Sequence, residues 1–371
     1  MRIVIAPDKF KGSLAATEVA AAIAAGLRGT GAELVTVPVA DGGDGTVDAA
    51  VAAGFDRVLV TAAGPTGQPV ATSYARRGDL ALVELATVCG LERLPGGELA
   101  PMDASSFGVG EVMRRALADG ANELMLAVGG SASTDGGAGM LQALGARVLD
   151  GRGEPIGRGG RALANVTGLD LTGLDPALRE AKVTLAADVA NPLTGPDGAA
   201  AVFGPQKGAD TSQVATLDGY LRRWAALVTD ATGHDWSPTA GAGAAGGVGF
   251  AALAVLGAQQ RSGIDMILDL TGFDAALDGA DLVVTGEGSL DTQSLSGKAP
   301  VGVARAAARR GVPVIAVAGR SLLTPEQAQA AGISAVHSLA DLEPDLARSM
   351  TGAAGLLERV ARDQLAAWST T

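Results

Sequence analysis

The sequence predicts an α/β fold of two domains: a doubly wound parallel sheet, and a second, inserted α/β domain carrying antiparallel strands. Three observations lead there. Short apolar runs at 2–6, 34–40, 124–128, 282–285 and 312–318 alternate with helix-like stretches. Continuous Val, Ile and Leu runs of that length suit parallel strands covered by helices on both faces. Residues 58–85 obey a different rule: runs at 58–63, 70–76 and 80–85 are joined only by GPTGQP and by Arg77-Gly78-Asp79. Loops that short can join only antiparallel strands, because a parallel crossover needs a dozen residues or more. The parallel pattern then resumes near residue 280, so the antiparallel part reads as an insertion.

The elements follow in order. MRIVIAPDKF turns polar at Asp8 after a short apolar run, which makes it a first strand and not a signal peptide. Ala16, Val19, Ala20, Ile23 and Leu27 share one helical face, with Ser13 as the expected N-cap and Gly29 as the stop. The helix–strand unit at 105–130 fits either domain. Residues 240–258 carry no charge over 19 positions, but six of these are glycine. So small-sided a segment is a poor membrane span, and it reads as a glycine-rich loop feeding a buried helix. A last helix at 301–310 enters through Pro300 and closes at Gly311. The expected division is 1–60 with 276–371 for the parallel domain (105–136 being assignable to it as well) and about 61–275 for the insertion.

Composition narrows the function. The chain has 371 residues, 28 basic and 40 acidic, a net charge of −12, with 47% hydrophobic and 18% charged residues. That is a core-forming composition, not a disordered one. Its acidity argues against a nucleic-acid partner, which would require a basic footprint. The single cysteine, Cys89, excludes an intramolecular disulfide and a thiolate zinc cluster, and neither His234 nor His337 lies in an HExxH motif. With no membrane segment, the expectation is a soluble, cytoplasmic protein; monomer and homodimer are both left open.

The chemistry sits after the strands. APDKFKGS follows the first, with Asp8, Lys9, Lys11 and Ser13; ADGGDGT follows the second, with Asp41 and Asp44. GGSASTDGG follows the run at 124–128 and supplies Ser131, Ser133, Thr134 and Asp135. DVANPLTGP follows a strand at 183–187, with Asp188 and Asn191, and GEGSLDTQSLSGK follows 282–285, with Glu287, Asp291, Ser296, Gly297 and Lys298. Each cluster alone could be an ordinary turn. Repeated glycine with carboxylate or hydroxyl after nearly every strand is not needed by turns, and ligands in open α/β sheets bind outside the carboxyl ends of strands. Four of these clusters are expected on one sheet edge. Carboxylates, lysines, hydroxyls and glycine turns at helix starts are what a Mg²⁺-bound polyphosphate requires. No GxxxxGK[ST] occurs, and the GxGxxG at Gly241, Gly243 and Gly246 lacks a preceding strand, so neither phosphate fingerprint applies.

Five longer motifs carry a resemblance: IAPDKFKGSLAATEVA, PVADGGDGTVDA, GGSASTDGGAGMLQALGA, AADVANPLTGPDGAAAVFGPQKGA and VTGEGSLDTQSLSGKAPVGVA, in that order over essentially the whole chain. The sequence resembles the bacterial glycerate kinase type-1 family, with Lys9 where other members carry serine. The resemblance implies ATP- and Mg²⁺-dependent phosphorylation of D-glycerate, usually to 2-phosphoglycerate. It also implies one Rossmann-like and one inserted domain with the site between them. On that basis Glu287, Asp291 and Asp41 are expected at the metal. Lys11, Gly12, Ser13, Ser296 and Gly297 are expected at anionic groups, and Lys298 at the transferred charge. Asp44, Ser131, Ser133, Asp135 and Asn191 are expected at substrate, with Asp188 as the base. An NAD(P)-dependent hydroxyacid dehydrogenase and a non-catalytic sensor are the competing readings.

Overall fold

The computed structural model describes residues 1–365, apart from the Ser296 side chain. Its strands are β1 (Arg2–Pro7), β2 (Glu33–Thr36), β3 (Asp56–Ala63), β4 (Pro69–Arg77), β5 (Leu80–Glu84), β6 (Glu123–Ala127) and β7 (Arg147–Leu149). They continue as β8 (Gly168–Asp170), β9 (Lys182–Ala186), β10 (Gln259–Arg261), β11 (Leu282–Leu290), β12 (Val314–Ser321) and β13 (Ala335–Ser338). The chain divides into two compact units, Met1–Asp41 with Asp48–Gly54 and Ser262–Thr371, and Gly42–Val47 with Phe55–Arg261.

The first unit is built on a five-stranded sheet, order β13-β12-β11-β1-β2, in which every pairing is parallel. The chain winds outward from β1 to β2, then returns on the other side of β1 through β11, β12 and β13. Strand order therefore reverses between β1 and β11, the position where doubly wound sheets open a crevice at their carboxyl ends. Strand β11 runs on to Leu290, beyond the expected end at Thr285, because Ser289 and Leu290 stay in register with Arg320 and Ser321. Gly286 permits this close pairing, since a Cβ there would lie 2.0 Å from the Val317 carbonyl oxygen. Ile3, Ile5, Val284, Ile315 and Val317 form the core with Val19, Ile23 and Leu27 of the helix Ala16–Leu27. That helix is not capped by Ser13. Ala15 is its N-cap, and the Glu18 carboxylate, reaching back, accepts from the Ala15 N–H at 2.8 Å.

The second unit carries a six-stranded sheet, order β10-β9-β6-β5-β4-β3. Strands β3, β4 and β5 are antiparallel, whereas β5, β6, β9 and β10 are mutually parallel; β7 and β8 pair separately. The helix–strand unit around 105–136 lies here, because β6 pairs with β5 and β9. This corrects the expectation that four loop clusters share one sheet edge: the one after β6 belongs to this second sheet, with the Asp188 cluster after β9, which was expected in the second domain. Tyr74, Leu82, Leu126, Leu185, Trp224 and Phe250 are buried in its core. Residues 240–258 form a turn and the buried helix Val248–Ala254, as the glycine pattern predicts.

Candidate functional site

In the first unit the loops after β1 and β11 meet at the reversal of strand order and line a cavity of about 550 Å³. Asp8, Lys11, Ser13, Asp41, Glu287, Asp291, Lys298 and Arg320 all face it. The Asp8 N–H continues the β1 ladder by donating to the Gly286 carbonyl at 2.8 Å, which draws its carboxylate into the interior. Asp8 Oδ1 accepts from the Lys9 N–H at 2.6 Å and lies 3.8 Å from Lys9 Nζ. Burial pushes the Asp8 carboxyl up to about 7, with the charges of Asp41 and Glu287 adding to the rise and Lys9 opposing it. Gly12, at φ +74°, lets the chain turn back, and Ser13 Oγ donates to the Met350 carbonyl at 2.6 Å.

Glu287 is 7% exposed, and its Oε1 is buried with no hydrogen-bond partner among the described residues. Burial raises its carboxyl above the ordinary value, against the Ser294 hydroxyl and the Lys298 charge. An orphaned buried carboxylate oxygen fits a hard cation, which takes oxygen ligands. One oxygen of Asp291 closes the turn after β11: its Oδ1 accepts from the Gln293 N–H at 2.9 Å and the Ser294 N–H at 3.3 Å. Among the described residues no group of three or more His, Cys, Asp or Glu is arranged to hold a metal. Glu287, Asp291 and Asp41 thus share a cavity without forming a closed cage. Lys298 is the N-cap of the helix Ala299–Ala308, whose start carries the positive end of a helix dipole. Gly297 precedes it at φ +103°, and the side chain of Ser296 lies outside the described residues. The far wall is mostly apolar, from Leu339, Ala340, Pro344, Leu346, Met350 and Ala353, with Glu343 and Ser349 among them.

The other candidates stand in the second unit. Asp44 lies in Gly42–Val47, a loop fastened by Glu84, whose Oε1 and Oε2 accept from the N–H groups of Gly45 at 3.1 Å and Val47 at 2.8 Å. After β6, both oxygens of Asp135 accept hydrogen bonds. Its Oδ2 accepts from Ser106 N at 2.8 Å, Ser106 Oγ at 3.0 Å and Ser105 Oγ at 3.1 Å, and its Oδ1 from Gly137 N at 3.2 Å. Beside it Lys207 donates to Ser131 Oγ at 2.9 Å and to the Ser133 carbonyl at 2.6 Å. Asp188 is exposed after β9, and Asn191 Nδ2 donates to the Asp197 carbonyl at 2.8 Å.

Sequence reasoning did not single out Glu84 or Lys207, nor did it give Asp8 a role. For Lys207 the signal was a lone charge in the otherwise uncharged run AAAVFGPQKGA; for Glu84, a carboxylate ending an apolar strand.

A doubly wound α/β unit with an anion- and cation-compatible cavity at its strand reversal belongs to the class of phosphate-handling enzymes, not of dinucleotide oxidoreductases. The GxGxxG glycines lie in and around a 3₁₀ turn with no strand leading into it. The glycerate kinase family model matches residues 3–369. The glycerate kinase of Bacillus subtilis (strain 168) is 44% identical over 98% of this chain and 96% of its own length. The glycerate 2-kinase of Escherichia coli (strain K12) is 42% identical over 98% and 97%. A crystal structure from Salmonella typhimurium LT2, provisionally assigned as glycerate kinase 2, superposes with a TM-score of 0.85 at 42% identity, covering 100% of this chain and 98% of that one. The chain belongs to the glycerate kinase family, and is an enzyme of that family. No helix among the described residues is long and apolar enough to cross a membrane.

Proposed function

We propose that the enzyme transfers the γ-phosphoryl group of ATP to D-glycerate, giving 2-phosphoglycerate and ADP in the cytoplasm. The observation that carries this reading is the cavity after β1 and β11, where the unpartnered Glu287 oxygen and Asp8 stand among Lys11 and Lys298. The name of the Escherichia coli relative supports the 2-position. Mg²⁺, when bound, would be held by Glu287 and Asp8 with Asp41 alongside, and would neutralise phosphate charge. In this reading Lys11 and the helix start at Lys298 bind the phosphates, and the apolar wall from Leu339 to Ala353 receives the nucleobase. Phosphoryl transfer rests on positioning and electrostatics, so Lys298 acts as a point charge on the transferring group. The P–O bond to ADP breaks, the glycerate C2 oxygen bonds to phosphorus, and its proton passes to a carboxylate, for which Asp188 is assigned.

Release of ADP measured against D-glycerate, with and without Mg²⁺, and ³¹P spectra of the product test the reading. Glycerate-dependent ADP release that requires Mg²⁺ and yields a C2 phosphate ester is expected. ADP release indifferent to glycerate, or an ester at C3, overturns it.

A further inference from the structure

Lys207 is 2% exposed, at the end of the 3₁₀ turn Pro205–Lys207 in the second unit. Its ammonium makes two hydrogen bonds and no ion pair among the described residues. A buried lysine without a counter-ion is costly. One of its two acceptors is Ser131 Oγ, itself 5% exposed. A hydroxyl has one proton and two lone pairs, so accepting from an ammonium turns that proton away from it. No acceptor among the described residues takes the Ser131 proton. Two and three residues on, Ser133 Oγ and Thr134 Oγ1 are also buried without partners among the described residues. Unsatisfied buried hydroxyls are rare enough to need a reason, and these lie in the loop at the carboxyl end of a parallel strand, where ligands bind.

The surrounding loop is held by other means. Trp224 Nε1 donates to the Gly136 carbonyl at 2.9 Å, and Ala132 N to the Cys89 carbonyl at 2.9 Å. Lys207 adds one further tie, through the Ser133 carbonyl. What the lysine adds besides is one positive charge and a fixed direction for the Ser131 proton. The loop therefore offers a ligand one positive charge and hydroxyls whose protons are not taken by the protein. The matching group is an oxyanion.

We infer that Lys207 is a positioning residue that makes Ser131 an obligate hydrogen-bond donor to the carboxylate of the acceptor substrate. The inference rests on the glycerate kinase reading. Burial pushes the Lys207 ammonium down to about 7, with Asp135 the charged group facing it and opposing that shift. The charge therefore fades as pH rises through that value.

The test is a double-mutant cycle of Lys207→Met and Ser131→Ala, reading KM for D-glycerate, KM for ATP, kcat and thermal unfolding. Methionine keeps the buried volume, so Lys207→Met unfolds within a few degrees of wild type. Each single variant raises KM for glycerate at least tenfold and KM for ATP less than threefold, and the double variant is no worse than either single one. In wild type KM for glycerate climbs above pH 7; in Lys207→Met it stays flat. Should Lys207→Met fold poorly, Ser131→Ala still reads the same shift in a native background. Unchanged glycerate KM in Ser131→Ala, additive losses, or a rise confined to ATP overturns the inference while glycerate-dependent turnover of wild type stands. Absence of that turnover in wild type overturns the underlying reading and the inference together.

Discussion

Replacing Glu84 by glutamine would loosen the loop Gly42–Val47 while leaving the strand that carries the residue in place. Glu84 is 1% exposed at the end of β5, and its two carboxylate oxygens accept from the Gly45 and Val47 N–H groups. Hydrogen bonds to a charged group contribute about 1.5–3 kcal/mol each. Glutamine has nearly the same shape, but one oxygen becomes an NH₂ that faces an N–H, so one bond is lost and the other weakens to a neutral one. The expected cost is about 3 kcal/mol, concentrated on the loop. Hydrogen exchange reads this better than a melting curve, because a chain of two units need not unfold in one step. Amides of 42–47 should exchange about 100-fold faster, following about 1.4 kcal/mol per decade, while those of β5 and β6 stay as they were. Because the loop carries Asp44, kcat/KM should fall as well. Protection of 42–47 within threefold of wild type would show that the Glu84 bonds do not hold the loop.

Lys298→Met should lower kcat/KM by about 2–4 kcal/mol, some 30- to 1,000-fold, in steady-state assays; wild-type kinetics would remove Lys298 from the site. For Lys207, the folded state releases its proton near 7 and the unfolded chain near 10.5. Between those values the unfolded chain binds more protons, so stability rises with pH, by roughly 3 kcal/mol from pH 7 to 9.5 in urea titrations. Lys207→Met should abolish that rise. Gly246→Ala would place a Cβ 2.0 Å from the Ser133 carbonyl oxygen at a φ of +67°; a loss of about 3 kcal/mol or more is expected in the same titrations.

Much of this was legible because patterns of period two and 3.6 survive in the sequence. The antiparallel strands β3 to β5 declared themselves through loops too short for crossovers, and the buried face of the helix Ala16–Leu27 through its spacing. Sheet membership was not legible. The apolar runs in β6 and β11 look alike, and only pairing partners far along the chain assign them to different sheets. Ser13 was expected to cap a helix because its type favours that role, yet Glu18 satisfies the Ala15 N–H and Ser13 turns to Met350. Lys207 was passed over because lysines are ordinarily solvated. Nothing local marks one held inside by a serine and a carbonyl. The loops at Asp8–Ser13 and Glu287–Lys298, picked out by strand-following glycines and carboxylates, line one cavity, because parallel neighbours bring their carboxyl-end loops to the same edge.

The order of strands in the first sheet also sets a timetable for synthesis. Ile3 lies in register with Leu282, a separation of 279 residues. At roughly 5–20 residues per second, about 15–60 s pass between the emergence of β1 and that of its central partner. Residues 42–261, which hold every strand of the six-stranded sheet, leave the ribosome within that interval. The second unit can therefore finish folding while Ile3, Val4 and Ile5 still wait for β11. For that time β1 is an apolar strand with one side unpaired, exposed to whatever else the cell offers to pair with it. A nascent chain halted near residue 270 would hold most of the six-stranded sheet and, of the five-stranded one, only the β1–β2 pair.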